Sequence, residues 1–350
     1  MYLSFFGLRE QPFGVTPDPR FLYLSAAHRE ALASLYYGIE ANRGFLGLVA
    51  RPGMGKTTLL FHLLEKFRTS ARTAFLFHTQ CNSREFMGFL LAELGYEGTA
   101  QDLVQMHEEF NKRLMQEARA GNRLIVVIDE AQNLEPEVLE TLRLLSNFET
   151  SRAKLMHIIL AGQPALADKL ASPGLAQLRQ RVSIVHGLEP LPVWEIKNYI
   201  EHRLLVAGYR GGPLFTAEAY EAVAEFTEGI PRNVNNFCFN ALSLACALRK
   251  KSVDSEVVDE VVSDLDIEKL TSAPQSETAG IHSQRRPAQN VDGSSGRPGD
   301  DEGISTPAQA AAYMQQVALK LKDWREFLEK APDKVPGRSS TRSRTDVNDP

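Results

Sequence analysis

The stretch Val49-Ala50-Arg51-Pro52-Gly53-Met54-Gly55-Lys56-Thr57-Thr58 decides the fold of this chain. It follows an apolar run, Phe45 to Val49, and precedes a helical pattern, Leu59 to Phe67, so the local order is strand, loop, helix. That context marks a phosphate-binding loop rather than a glycine-rich turn that happens to contain a lysine. The residues Pro52, Gly53, Met54, Gly55, Lys56, Thr57 and Thr58 would cradle a nucleotide. The glycines let backbone N–H groups turn inward around the phosphates, and the next helix adds its positive N-terminal end. Lys56 would reach the β and γ phosphates, and Thr57 would place its hydroxyl on Mg²⁺. Ala50 stands where the strict pattern has its first glycine, and its methyl puts the loop geometry, not the loop's identity, to the test.

The 350 residues are 43% hydrophobic, enough for a sizeable core and two domains of ordinary size with sequence to spare. A formal net charge of −5 gives no bulk electrostatic case for binding nucleic acid or an anionic membrane. Cys81, Cys238 and Cys246 have no metal-ligand spacing and are odd in number, which suggests buried thiols in a reducing compartment. Met1 to Phe13 lacks the basic start and long apolar stretch of a signal peptide, and no uninterrupted apolar run of about 18 residues occurs. The expectation is a cytoplasmic chain with no membrane span.

Around the loop, strand-like and helix-like runs alternate. The opening residues are aromatic but broken by Gly7, Pro12, Gly14, Pro17 and Pro19, and read as an ordered arm without regular structure. The arm either covers a core edge with phenylalanines or helps to cradle an adenine ring, and the two roles are compatible. Ser25 is a helix N-cap before Leu32, Leu35, Tyr36 and Ile39 at helical spacing. Thr73 to Phe77 and the continuously apolar Leu124 to Ile128 read as strands, followed by Leu155 to Leu160 and Val182 to Val185. Strands alternating with helices imply a parallel α/β sheet. From Trp194 onward only helical patterns appear, through about Leu265, with Asp254 as the N-cap of the last. Beyond Lys269 the composition turns to Ser, Gly, Pro and mixed charge, as expected of a disordered linker. Within it, Tyr313, Val317, Leu321, Trp324 and Leu328 form one apolar helical face over residues 308–331, which would dock on this chain's own body or on a protein partner.

The strand Leu124 to Ile128 ends in Asp129-Glu130, the acidic pair a nucleotide hydrolase needs beside its phosphate loop. Asp129 would hold Mg²⁺ through water, and Glu130 would act as general base on the attacking water. Thr73 to Phe77 reads as the extra strand that glutamate-base NTPases insert between these two motifs. Gln163, after the fourth strand, would orient the attacking water, with turn chemistry between Gly162 and Pro164 as the alternative. Arg232 follows Gly229-Ile230-Pro231, a helix start with proline in its first turn, and would project toward the phosphates; the alternative is a surface salt bridge. Arg179 and Arg181 precede the fifth strand, where ring-forming ATPases carry an arginine that acts on the neighbouring subunit's nucleotide. Nothing in the residues decides between the two.

Several further motifs agree with one family. Phe5-Phe6-Gly7-Leu8-Arg9-Glu10-Gln11-Pro12-Phe13, Pro17-Asp18-Pro19-Arg20-Phe21-Leu22-Tyr23-Leu24-Ser25, Asp129-Glu130-Ala131-Gln132-Asn133-Leu134, Leu142 to Glu149, Gly162-Gln163-Pro164 and Gly229-Ile230-Pro231-Arg232 resemble the ExeA-type AAA+ ATPases of bacterial general secretion. The resemblance runs in family order to about residue 268. It implies a P-loop NTPase of α/β class, with a RecA-like parallel sheet over residues 1–188, a small all-α lid over 189–268, and a disordered tail over 269–350. It also implies ATP as the nucleotide and assembly into homo-oligomeric rings or filaments, and it lends their roles to Gln163, Arg232 and the arginine pair. The secretion-type members carry a transmembrane helix and a peptidoglycan-binding module after the ATPase, where this chain has a polar linker and one amphipathic segment. Ala165 also stands where the family has an acidic residue. The expectation is therefore an ATPase that drives or regulates assembly of a secretion, envelope or exopolysaccharide system through a protein partner. A DNA-polymerising regulator of the transposition or replication type is the alternative, and a non-hydrolysing scaffold is disfavoured by Glu130.

Overall fold

Proline and glycine set the boundaries of most elements, and apolar periodicity sets their faces. The computed structural model describes residues 2–98, 102–149 and 154–272, with the side chains of 266–272 excepted. The apolar stripe anticipated over 308–331 therefore lies outside the described residues. In chain order the helices and strands are α1 (Tyr2–Phe6), α2 (Ala26–Glu40), β1 (Phe45–Val49), α3 (Lys56–Lys66), β2 (Ala71–Leu76), α4 (Ser83–Glu93) and α5 (Leu103–Arg119). Then follow β3 (Arg123–Ile128), α6 (Pro136–Leu145), β4 (Met156–Gly162), α7 (Pro164–Ala171), α8 (Ala176–Arg179) and β5 (Val182–Gly187). The helices α9 (Val193–Val206), α10 (Ala217–Thr227), α11 (Pro231–Ala247) and α12 (Ser255–Ser272) complete the described chain.

The five strands form one parallel sheet in the order β2-β3-β4-β1-β5. Period-two alternation divides each central strand between two cores. Leu124, Val126 and Ile128 of β3 join the cluster under α4, α5 and α6, whereas Ile125 and Val127 join the one under α2 and α3. Every residue of β4 is buried, as a strand covered on both faces requires. The edge strand β5 alternates instead, and Val185 is 54% exposed.

Two expectations need correction here. The strand read as Thr73 to Phe77 forms as β2 and lies at the sheet's edge, and it is β4 that separates β1 from β3. The reason is burial: β4 is apolar on both faces, while the first three residues of β2 stay half-buried. The N-terminal arm is also not irregular throughout. Tyr2–Phe6 is helical because its aromatic face has a partner, with Phe6 buried and Tyr2 edge-on to Phe239 at 5.8 Å. Pro19 then opens a 3₁₀ turn whose Arg20 amide is capped by the Asp18 carboxylate at 2.9 Å. The helices α7 and α8 were not anticipated either, since 8 and 4 residues give too little periodicity to read.

A third core lies among α9 to α12, and the arm belongs to it. Phe6, Leu8, Phe13 and Phe21 are buried against Ile196, Ile200, Val234 and Phe237 rather than against the sheet. This is the helical lid. Asp254 caps α12 by accepting the Val257 amide at 3.1 Å, as its position before the helix suggests. Between α10 and α11, Gly229 has φ +67°, and a Cβ there would stand 2.1 Å from the Leu191 carbonyl oxygen. The glycine lets the start of α11 lie directly against the segment that links lid and sheet, and its own carbonyl accepts the Leu191 amide at 2.9 Å. No described helix is long and apolar enough to cross a membrane.

Candidate functional site

At the C-terminal ends of the strands, one cleft is lined by Gly53 to Thr58, Glu130 and Arg232, together with arm residues Gly14 to Asp18 and Phe21 to Tyr23. The loop after β1 turns through Gly53 (φ +81°) and Gly55 (φ +86°) into the first residue of α3. A side chain at Gly53 would meet Arg232 Cβ at 2.7 Å, so the lid helix α11 rests on the loop itself, with the Arg232 amide donating to the Gly53 carbonyl at 3.1 Å. Lys56 is buried and donates to the Ala50 carbonyl at 3.2 Å.

The methyl of Ala50 points into the core beneath the sheet and is 3% exposed, while its amide donates to the Gly162 carbonyl at 3.0 Å. The loop keeps both left-handed glycines despite the missing first one. Restoring the strict pattern with Ala50→Gly is therefore expected to leave nucleotide affinity within about twofold and to cost about 1 kcal/mol of stability, from a lost buried methyl and a looser unfolded chain. Equilibrium binding and denaturant unfolding check the pair of values.

The acidic pair sits opposite α3. Asp129 is 3% exposed and accepts the Thr57 hydroxyl at 2.5 Å and the Glu130 amide at 3.0 Å. Burial pushes its carboxyl above the usual range, against the pull of those hydrogen bonds. A desolvated carboxylate beside a hydroxyl is a hard oxygen pair suited to Mg²⁺, which takes few protein ligands and fills the rest with water and phosphate. Glu130 holds a left-handed conformation (φ 52°), unusual for a side chain of its kind. Its Oε2 accepts from Gln163 Nε2 at 3.1 Å and from Gln132 Nε2 at 2.6 Å. Gln132 also accepts the Gln163 amide at 3.0 Å and so holds both residues in register.

The sequence reading missed Gln132 in this role, although it lies two residues beyond Glu130. It also missed Tyr199, Arg203 and Asn235, which line the cleft next to Phe21 and Tyr23. Arg203 is buried, stacks 5.1 Å from the Phe21 ring and donates to the Pro12 carbonyl at 2.6 Å, pinning the arm to the lid. Asn235 sits one helical turn after Arg232 and accepts the Tyr199 hydroxyl at 2.8 Å, a spacing that pattern alone could have flagged. The arm thus packs on the lid and lines the cleft.

Arg179 and Arg181 are not in this cleft. They precede β5, whose neighbour β1 runs parallel to it and delivers the phosphate loop at its far end. Five residues of β1 span about 16 Å, so neither arginine serves the loop of its own chain. Arg179 donates to the Ala171 carbonyl at 3.0 Å, and Arg181 to the Ser146 hydroxyl at 2.9 Å in a groove with Arg43, Arg143 and Lys154.

An AAA-domain family model matches residues 39–170, from the end of α2 to α7. General secretion pathway protein A of Aeromonas hydrophila is 39% identical over 249 residues, covering 71% of this chain. The chain is an ExeA-like AAA-domain protein. The matched stretch spans 45% of that relative's length, and a second match spans 38% of its own. That second relative is an uncharacterised HTH-type transcriptional regulator of Methanocaldococcus jannaschii, 30% identical over 44% of this chain. Among solved structures, the ORC2 protein of Aeropyrum pernix superposes with a TM-score of 0.58 at 17% identity, covering 75% of this chain and 74% of its own. Cdc6p of Pyrobaculum aerophilum gives 0.56 at 20% identity, covering 74% and 75%. At such identities the structural likeness carries the fold alone, an AAA P-loop sheet with a helical lid.

The ExeA-like core also contains buried histidines. His28 and His157 are 2% and 0% exposed, and burial holds both below the usual histidine value of 6.5. Their unfolded forms take up protons first as pH falls, so the stability each contributes is full above about pH 6.5 and declines as pH drops toward the folded values. Denaturant midpoints are expected to fall between pH 7.5 and pH 5.5, and to fall less in a His157→Phe variant.

Proposed function

We propose that this chain binds ATP with Mg²⁺ in the cleft and hydrolyses it. The observation that carries the reading is convergence: Lys56 and Thr57 of the phosphate loop, Asp129 and Glu130 after β3, Gln163 after β4 and Arg232 of the lid meet around one opening. Thr57 and Asp129 would hold the cation, which when bound draws negative charge off the phosphates. Glu130 accepts the side-chain amide N–H groups of Gln132 and Gln163 at one oxygen and would take the proton of the attacking water. Gln163 would orient that water, and Arg232 would report phosphate occupancy to the lid. The arm, with Phe21 and Tyr23, would wall the base side of the cleft.

In this reading the working form is a homo-oligomeric ring or filament in the cytoplasm, with Arg179 or Arg181 of one copy acting on the next copy's nucleotide. Residues 1–188, apart from the arm that packs on the lid, serve as the nucleotide core, 189–268 as the lid and 269–350 as a tail for partner recruitment. The biological task is assembly or regulation of a secretion, envelope or exopolysaccharide complex, supported by the similarity to general secretion pathway protein A. Proteins that co-purify with a Glu130→Gln variant held in its ATP state test this directly: envelope or export components support it. Recovery of duplex DNA instead, with salt-sensitive and ATP-dependent binding, would replace it with the DNA-polymerising alternative.

A further inference from the structure

The first turn of α2 carries none of the nucleotide motifs, yet it lies between the phosphate loop and the lid. His28 is buried there and its Nε2 stands 3.0 Å from the Met54 carbonyl, which can only accept, so Nε2 carries the proton. Nδ1 faces the Ser25 hydroxyl at 2.7 Å, and the Ser25 oxygen accepts the His28 amide at 3.2 Å as the helix N-cap. The ring therefore has both nitrogens engaged. It also abuts the loop backbone, since a Cβ on Gly55 would stand 3.4 Å from Nε2. At the start of the same turn, Glu195 of the lid helix α9 is 2% exposed, and its Oε1 accepts the Ala26 amide at 3.3 Å. A carboxylate at that place meets an N–H the helix cannot itself satisfy and the positive end of its dipole.

We propose that His28 is a positioning residue that aims the phosphate loop, and that Glu195 ties this grip to the lid through the same helical turn. The proposal rests on the cleft being the nucleotide site. Its physical basis is the planarity of the peptide bond, in which a carbonyl and the following N–H point in opposite directions. Holding the Met54 carbonyl on the His28 side turns the Gly55 N–H toward the cleft. The preceding carbonyl, Gly53, is held in the same manner by the Arg232 amide of the lid at 3.1 Å, which turns the Met54 N–H. Two successive loop peptides are thus set by outside donors, one directly from the lid and one from α2, which the lid anchors through Glu195.

The test uses the full chain and four variants, with equilibrium ATP binding and, in nucleotide-free protein, hydrogen exchange of the amides that loop carbonyls hold, Leu59 on Gly55 and Arg232 on Gly53, as readouts. His28→Leu orphans a buried carbonyl and is expected to raise exchange at the Leu59 amide, which the Gly55 carbonyl holds, and to weaken ATP binding, each by ~10-fold. His28→Gln keeps an N–H within reach of Met54 and is expected to stay within ~3-fold of wild type in both, a rescue that shape alone does not give. Glu195→Ala is expected to raise exchange at the same two amides without touching the loop. Should His28→Leu fail to fold, His28→Asn, whose shorter amide falls short of Met54, takes its place. The positioning role is overturned if the donor-less variants match wild type or if His28→Gln is as impaired as His28→Leu. The tie to the lid is overturned if Glu195→Ala leaves loop exchange unchanged. A wild-type chain that binds no ATP would refute the nucleotide reading alone, because exchange in the free protein still reports on the grip.

Discussion

Alanine at Arg179 or at Arg181, in whichever one is the trans-acting group, is expected to leave ATP binding intact and to cut hydrolysis by about 10³–10⁵-fold, the range an arginine finger contributes elsewhere. The large effect follows from where charge develops. Negative charge spreads over the transferring phosphoryl oxygens, and a guanidinium fixed beside them stabilises that state far more than the bound substrate. Both arginines lie at the N-terminal end of β5, the opposite end of the sheet from their own phosphate loop, so a role in hydrolysis requires the nucleotide of another copy. Arg181 is already oriented by the Ser146 hydroxyl, and Arg179 by the Ala171 carbonyl, so each is held in a defined pose. Two consequences are measurable. Specific activity should rise with protein concentration, and titrating the arginine variant with Lys56→Ala protein should restore part of the activity, because an intact arginine then meets an intact loop. Activity per chain that is independent of concentration, with no recovery on mixing, would make both arginines structural.

Glu130→Gln is expected to bind ATP as wild type does and to lose about 10²–10⁴-fold in turnover, the usual contribution of a positioned general base. The substitution keeps shape and leaves an amide oxygen to accept from Gln132 and Gln163, so the left-handed backbone at this position and the register with β4 survive. What it removes is the basic oxygen. Asp129 is untouched, so affinity, in the proposed site a matter of the phosphate loop and the Thr57–Asp129 pair, should not follow the loss of rate. Single-turnover phosphate release beside equilibrium binding separates the two. Unimpaired hydrolysis by the glutamine variant would take Glu130 out of its role.

Much of this site was legible in the chain because its parts are local. A phosphate loop is contiguous, its strand and helix flank it, and an acidic pair at the end of an apolar strand is one short pattern. The sheet was legible for the same reason, since Leu124 to Ile128 of β3 are apolar without interruption, His157 is the one titratable residue in β4, and β5 alternates. Sheet order was not, because β2 and β4 are both short apolar runs and only the burial of both faces places β4 between the two motif strands. The short α1 escaped notice because its partners, the lid core that buries Phe6 and the Phe239 ring beside Tyr2, lie about two hundred residues or more away. The same holds for His28, Glu195 and Arg203. Each is a polar residue on an otherwise ordinary helix, and what distinguishes them, burial against the loop, the α2 turn and the arm, exists only after folding.

The proposed activity of this ExeA-like chain is nucleotide hydrolysis in the cleft after β1. The most direct measurement is phosphate release from ATP with Mg²⁺ by the full-length wild-type chain, across protein concentrations, beside Lys56→Ala prepared identically. The expected result is Mg²⁺-dependent release that climbs with concentration and vanishes, together with ATP binding, when Lys56 is removed. No release at any concentration, or release that survives unchanged in Lys56→Ala, would contradict it.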